Sequence, residues 1–199
     1  MKKIMFNDKY GLTQAVLDGR KTMTRRVAIE KPEGLYKLLR FKDQCIILKD
    51  GKKIEESPYK VGEVIAIAQS YKTLEREIER LGLPLNLKPE IYKSAGYKNK
   101  MFVKAEHMPH HIEITHISLD YLGSISDEDC LCEGIEAVRP EEFTDHGVEV
   151  GPLQGYSFQF GKICETPRDA FKLLVKKTMG SDVWNNVPLV WVYSFKLKD

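Results

Sequence analysis

No stretch of the 199 residues holds the roughly 18 consecutive apolar side chains that a membrane-crossing helix needs. The opening run Met1-Lys2-Lys3-Ile4-Met5-Phe6-Asn7-Asp8 begins basic but turns polar before a signal-peptide apolar region forms, so a cytoplasmic location is expected. Gly/Ser-rich and Pro-rich linkers are lacking, and so is a repeat at a solenoid period. Charge of one sign is lacking as well: 31 Lys+Arg against 29 Asp+Glu leave +2. A protein that coats nucleic acid without selectivity carries a large basic excess, so any such contact here rests on a local patch. Cysteines are few, at Cys45, Cys130, Cys132 and Cys164, and without an export signal they read as free thiols. What is present is ordinary for a globular chain: 42% hydrophobic and 30% charged residues, with mean hydropathy −0.36. That length suits one core, and a single domain over residues 1–199 is expected.

Local pattern supplies the elements. Lys9 to Asp18 has apolar residues at helical spacing and Gly19 at its end. Arg40 to Leu48 and Lys52 to Ile54 flank Asp50-Gly51, a hairpin signal. Val64 to Ala68 reads as a buried strand, and Thr73 to Leu81 as a helix with Leu74, Ile78 and Leu81 on one stripe. Ile91 to Ala95 and Met101 to Val103 read as short strands, whereas Ile112 to Leu119 alternates apolar and polar throughout. Ser126 with Asp129 three residues on predicts a capped helix to Glu133. Residues 138–164 show no sustained period. Thr166-Pro167 opens a helix to about Met179, and Val190 to Leu197 is an aromatic, β-branched strand. Many short strands with scattered helices predict an α+β fold on a curved sheet or barrel.

The unusual stretch is Gly19-Arg20-Lys21-Thr22-Met23-Thr24-Arg25-Arg26, four cations and two hydroxyls directly after a helix. One reading is a solvated basic turn leading to an edge strand. The other is a ligand-facing turn, and the same residues favour it: Gly19-x-Lys21-Thr22-x-Thr24-x-Arg26 resembles the signature of the ASCH domain, a branch of the PUA-like superfamily. Pro58 to Val64, Ile112 to Ile117, Ile125 to Asp129 with Cys132 to Ile135, and Val190 to Phe195 resemble later blocks of that family, in its order. The resemblance implies a small β-barrel with flanking helices, a cleft lined by residues 19–26, and an association with RNA. A small bacterial member of the family removes the acetyl group from N4-acetylcytidine, and its catalytic residues match Lys21, Thr24 and Glu133 here. Against that shorter enzyme, segments near 36–57, 71–100 and 138–165 are insertions.

The residue types suit that chemistry. Threonine is a nucleophile once a base takes its proton, and lysine becomes a base when burial and nearby cations push its pKa below its free value of ~10.4. Residues 21 and 24 face opposite sides of a regular strand, so they converge only if the chain bends between them. Glu133 ends a helix, where the dipole disfavours a carboxylate, and needs a cationic partner or solvent. Arg20, Thr22, Arg25, Arg26, Gln69 and His111 are the expected ligand-binding residues. Gln69 stands where many longer relatives carry Glu, which removes one carboxylate from the inventory. Cys130-x-Cys132 with His107, His110, His111 and His116 has the wrong spacing for a common zinc knuckle, and neither metal nor cofactor is expected. Three readings stay open: an ASCH-type module binding RNA or a nucleotide, a metal-independent amidohydrolase acting on an acylated nucleoside, and an interaction protein whose cleft is vestigial.

Overall fold

The structure, a computed structural model, describes residues 1–80, 89–138, 155–158 and 162–198. The chain runs β1 (Lys3–Ile4), α1 (Leu12–Leu17), β2 (Met23–Ile29), β3 (Tyr36–Phe41), β4 (Gln44–Lys49), β5 (Lys52–Glu56) and β6 (Val64–Ile67). Then follow α2 (Tyr71–Arg80), α3 (Pro89–Lys93), β7 (His111–Tyr121), α4 (Asp127–Cys132), β8 (Glu136–Val138), β9 (Gly155–Ser157), α5 (Pro167–Met179) and β10 (Leu189–Leu197). The class is α+β. The sheets are open, and no barrel closes among the described residues. No described helix is long and apolar enough to cross a membrane.

The residues gather into two compact units, and β7 runs through both. The first takes Met1–Phe6, Val64–Glu113 and Leu197–Asp199. In it β1 lies parallel to β6, pairing Ile4 with Ile67, and β6 lies antiparallel to the start of β7, pairing Ile65 with Ile112. Ala66, Ala68, Tyr71, Leu74, Val103, Ala105 and Met108 form its core. Lys3 pins the loop behind this core, donating through Nζ to the carbonyls of Met101 at 2.6 Å and Val103 at 2.5 Å. Leu74 of the expected α2 stripe is buried, whereas Leu81 lies outside the described residues. Ile91 to Ala95 departs from the strand expectation: Pro89 opens the short helix α3 there, a first-turn position that suits proline. Lys100–Phe102 is likewise a 3-10 turn, capped by the Asn99 side chain accepting from Met101 N.

The second unit takes Asn7–Glu63 and Ile114–Lys196. Its main sheet has the order β7-β10-β2, with β3-β4-β5 as a separate antiparallel meander and β8-β9 as a two-stranded ribbon. Asp50 and Gly51 both take positive φ, the hairpin turn their sequence predicts. The expected arm Arg40 to Leu48 is split, because Lys42 at φ 56° turns the chain between β3 and β4 without a glycine. Ser126 accepts from Asp129 N to cap α4, and Thr166 caps α5 in the same way. Helix α5 buries Ala170, Phe171, Leu174 and Val175 and packs on α4 and β9. Most of 138–165 lies outside the described residues; within it, β9 pairs with β8 through Tyr156 and Ala137.

Candidate functional site

The site lies in the second unit and begins where α1 ends. Gly19 takes φ +74°, a left-handed conformation open to glycine, and its amide bonds back to Val16 O. That reversal lets Lys21 N reach Ala15 O at 2.8 Å, so the chain turns inward directly after the helix. Thr22 then ties two elements together: its amide donates to Cys132 O at the end of α4, and its carbonyl accepts from Phe195 N of β10. Gly134 makes the close approach possible. At φ +98°, a Cβ there would stand 3.4 Å from the Lys21 Cβ.

This backbone places a cation run against the end of α4. Lys21 Nζ donates to Glu133 Oε2 at 2.5 Å and to the Glu133 carbonyl at 2.7 Å, thereby also satisfying a terminal carbonyl of the helix. Arg25 bridges the two acids of the same helix face, with Nη1 3.3 Å from Glu133 Oε1 and Nη2 2.6 Å from Asp129 Oδ2. Its Nη1 also lies 3.2 Å from Met23 Sδ, while its Nε is buried without a partner. Side-chain exposure is 2% for Lys21, 5% for Glu133 and 1% for Arg25, so the pairing is almost dry. Burial pushes the Lys21 ammonium below its ordinary range, and the positive charges of Arg26 and Arg25 add to that push; the Glu133 carboxylate opposes it.

Thr24 points elsewhere. β2 and β10 keep an unbroken register from Val27 opposite Val190 to Met23 opposite Ser194, so successive residues alternate faces. Arg25 faces Glu133, and Thr24 occupies the other face, directly across from Tyr193. Thr24 is buried on that face. Tyr193 Oη lies 3.1 Å from Ser57 Oγ, which donates to the Tyr59 carbonyl, and the Tyr59 ring meets Tyr193 edge-on at 5.2 Å. Burial raises both phenols, with Arg26 pulling against it.

The remaining expected residues are dispersed. Arg20 is part-exposed and ion-paired to Asp18 at 3.0 Å and to Glu136. Thr22, just before β2, and Arg26, at its middle, are half-buried. Gln69 is buried after β6, and His111 opens β7; both belong to the first unit. Among the described residues no three His, Cys, Asp or Glu side chains gather as a metal would need, and all four cysteines are free. His107 meets Tyr71, and His110 faces Glu77.

The role of Asp129 was legible from spacing, since residues 129 and 133 share one helix face. Ser57, Tyr59 and Tyr193 had no such signal, because their meeting depends on strand register. No family model matches the chain, and no curated protein or solved structure matches it significantly.

Proposed function

We propose that the chain is an ASCH-type domain of the PUA-like class that removes a small acyl group from the base amine of a modified nucleoside such as N4-acetylcytidine. The observation that carries this reading is the dry Lys21–Glu133 pair, formed by residues 112 positions apart that two separate motifs single out. In the proposed reaction the Lys21 ammonium passes a proton to Glu133 and becomes a neutral amine, a change that burial favours. The amine then takes the Thr24 hydroxyl proton, a step that requires the start of β2 to bend so that Thr24 leaves the opposite face. The Thr24 oxygen attacks the acyl carbon, and Lys21 returns the proton to the departing base nitrogen. Water hydrolyses the Thr24 ester by the same route, giving the carboxylic acid and free enzyme. The neighbouring Arg26 adds positive charge where the oxyanion forms.

The opposite-face placement of Thr24 favours a second reading. In it, Lys21–Glu133 is a structural pair, and RNA or a nucleotide binds to the face bearing Thr24 and Arg26. The test is release of cytidine from N4-acetylcytidine by the wild type and by Thr24→Ala, Thr24→Ser and Glu133→Gln, each checked for folding. The expected result is turnover that falls by at least about 100-fold in Thr24→Ala and survives in Thr24→Ser. Full activity in Thr24→Ala removes the threonine nucleophile. Salt-dependent RNA binding without turnover overturns the hydrolase in favour of the binding module.

A further inference from the structure

Helix α5 borders an open groove of about 400 Å³ in the second unit, and none of its lining residues belongs to the Lys21–Glu133 cluster. That volume is in the range of small-ligand clefts. Asp169, Lys172, Leu173 and Lys176 recur at helical spacing and share one face of α5, which forms one wall. Residues 162–165, which lead into the Thr166 cap, form the other. The chain therefore doubles back at Thr166, and both walls carry their charges in the same order. Glu165 and Asp169 lie beside the cap, Lys162, Lys172 and Lys176 lie toward the far end, and Ile163, Cys164 and Leu173 come between. Burial raises the Cys164 thiol, Asp169 adds to the rise and Lys162 opposes it, so the thiol stands within reach of both charges. Among the described residues none of the three lysines has a carboxylate partner, and Lys172 Nζ lies 5.9 Å from the Trp184 ring centre. Asp169, by contrast, is engaged, accepting from the Thr166 hydroxyl at 2.8 Å.

The geometry points to a binding site for a linear monocarboxylate of medium chain length, its head among the lysines and its chain along Leu173 and Ile163. Unpaired ammoniums call for an anion. Three of them against two carboxylates leave a surplus of one, which a single negative charge cancels. A second charge at the other end of the ligand would stand beside Glu165 and Asp169 and be repelled. The floor selects the body: Ile163 is 40% exposed, and an aliphatic chain laid over it and Leu173 removes apolar surface from water. Length follows from the helix, since the seven-residue step from Asp169 to Lys176 rises about 10.5 Å, the reach of an extended chain of about eight carbons. A bare phosphate or a short acid satisfies the lysines but leaves the floor wet. This site stands apart from the deacylation reading and does not depend on it.

The experiment is calorimetric titration of the full chain, at low salt, with octanoate and three matched probes. Butanoate keeps the charge and shortens the chain, 1-octanol keeps the chain without the charge, and suberate carries a carboxylate at both ends. Octanoate is expected to bind at least about tenfold tighter than butanoate, and at least about fivefold tighter than octanol and about threefold tighter than suberate. Its advantage over octanol should disappear in Lys172→Gln/Lys176→Gln. Should that variant fail to fold, Lys162→Gln, which lies outside the helix, takes its place and should reduce the same advantage. Octanoate should also slow alkylation of Cys164 while leaving Cys132 unchanged, which locates the ligand in the groove. Equal binding of octanoate and octanol, equal binding of octanoate and suberate, or a butanoate affinity matching octanoate would overturn the inference. So would an advantage over octanol that survives in the lysine variants, unprotected Cys164, or no binding of octanoate at all.

Discussion

Replacing Glu133 by glutamine keeps the shape of the buried cluster and removes one charge. Arg25 retains Asp129, so Lys21 is the cation that loses its buried carboxylate. Breaking a buried pair from one side costs about 3–5 kcal/mol. An independent ceiling comes from the lysine itself, which escapes its penalty by losing a proton. At pH 7 that escape costs about 1.36 kcal/mol for each of the ~3.4 pH units below a free lysine pKa of ~10.4, or about 4.6 kcal/mol. At pH 9 the same arithmetic gives about 1.9 kcal/mol. The lost Arg25 contact adds about 1 kcal/mol at either pH. The expected loss is therefore about 4–6 kcal/mol at pH 7 and under about 3 kcal/mol at pH 9.

The sign follows from proton linkage. Burial holds the folded Lys21 below its unfolded pKa, so the unfolded chain binds more protons and stability rises with pH toward the unfolded value. Removing Glu133 deepens that slope. Urea denaturation of wild type and Glu133→Gln at both pH values is the assay, with Lys21→Met/Glu133→Leu as a third arm. Exchanging a buried pair for apolar groups is often neutral or stabilising, so the double variant should regain most of the loss and lack the pH dependence of the single one. Equal losses at pH 7 and 9, a loss under about 1 kcal/mol at pH 7, or a double variant as unstable as the single one would refute this reasoning.

Thiol chemistry and helix capping give two more tests. Burial pushes the Cys130 thiol up to about 12, so in timed alkylation at pH 8 read by mass spectrometry the half-buried Cys132 should label well before it; equal rates would be the contrary result. Thr166→Ala removes the hydroxyl that accepts from Asp169 N, and should cost about 1 kcal/mol and lower the melting temperature by roughly 2–4 °C.

Local rules made several elements readable in advance. Thr166-Pro167, Ser126 with Asp129, Asp50-Gly51 and the alternation of Ile112 to Leu119 each carry their own stereochemistry, and α5, α4, the β4–β5 turn and β7 follow. Readings failed where tertiary setting chose the conformation. Lys42 enters the left-handed region in a tight turn although nothing in its residue type asks for it. Ile91 to Ala95 looks β-prone by composition but lies behind a helix-opening proline. In the site, Lys21 and Glu133 were named through their motifs, while the distance between them was a product of the Gly19 reversal and the Thr22–Cys132 bond. The Thr24–Tyr193 pairing lay beyond reach, since a one-residue slip would have turned the opposite face toward Tyr193.

The charge arrangement itself bears on which function the cluster serves. The basic run Arg20, Lys21, Arg25 and Arg26 reads as an anion-binding turn, yet the fold sets four carboxylates about it: Asp18, Asp129, Glu133 and Glu136. Arg25, the best geometric match to a phosphate fork, is 1% exposed and holds an acid on each terminal nitrogen, so it meets no phosphate without unpacking. A cluster built for polyanion binding has no reason to bury Lys21 and Arg25 and neutralise them at once. Nor does stability account for it, because a dry ion pair gains little over apolar packing of the same volume. The proposed hydrolase gives the burial a use: the same low-dielectric setting that lowers the lysine favours its neutral amine, the form that acts as a base. Arg25 holds the second oxygen of Glu133 and so fixes the carboxylate beside Lys21. On the proposed reading, then, Lys21 serves as a base, and its burial leaves it hardly any part as a surface charge.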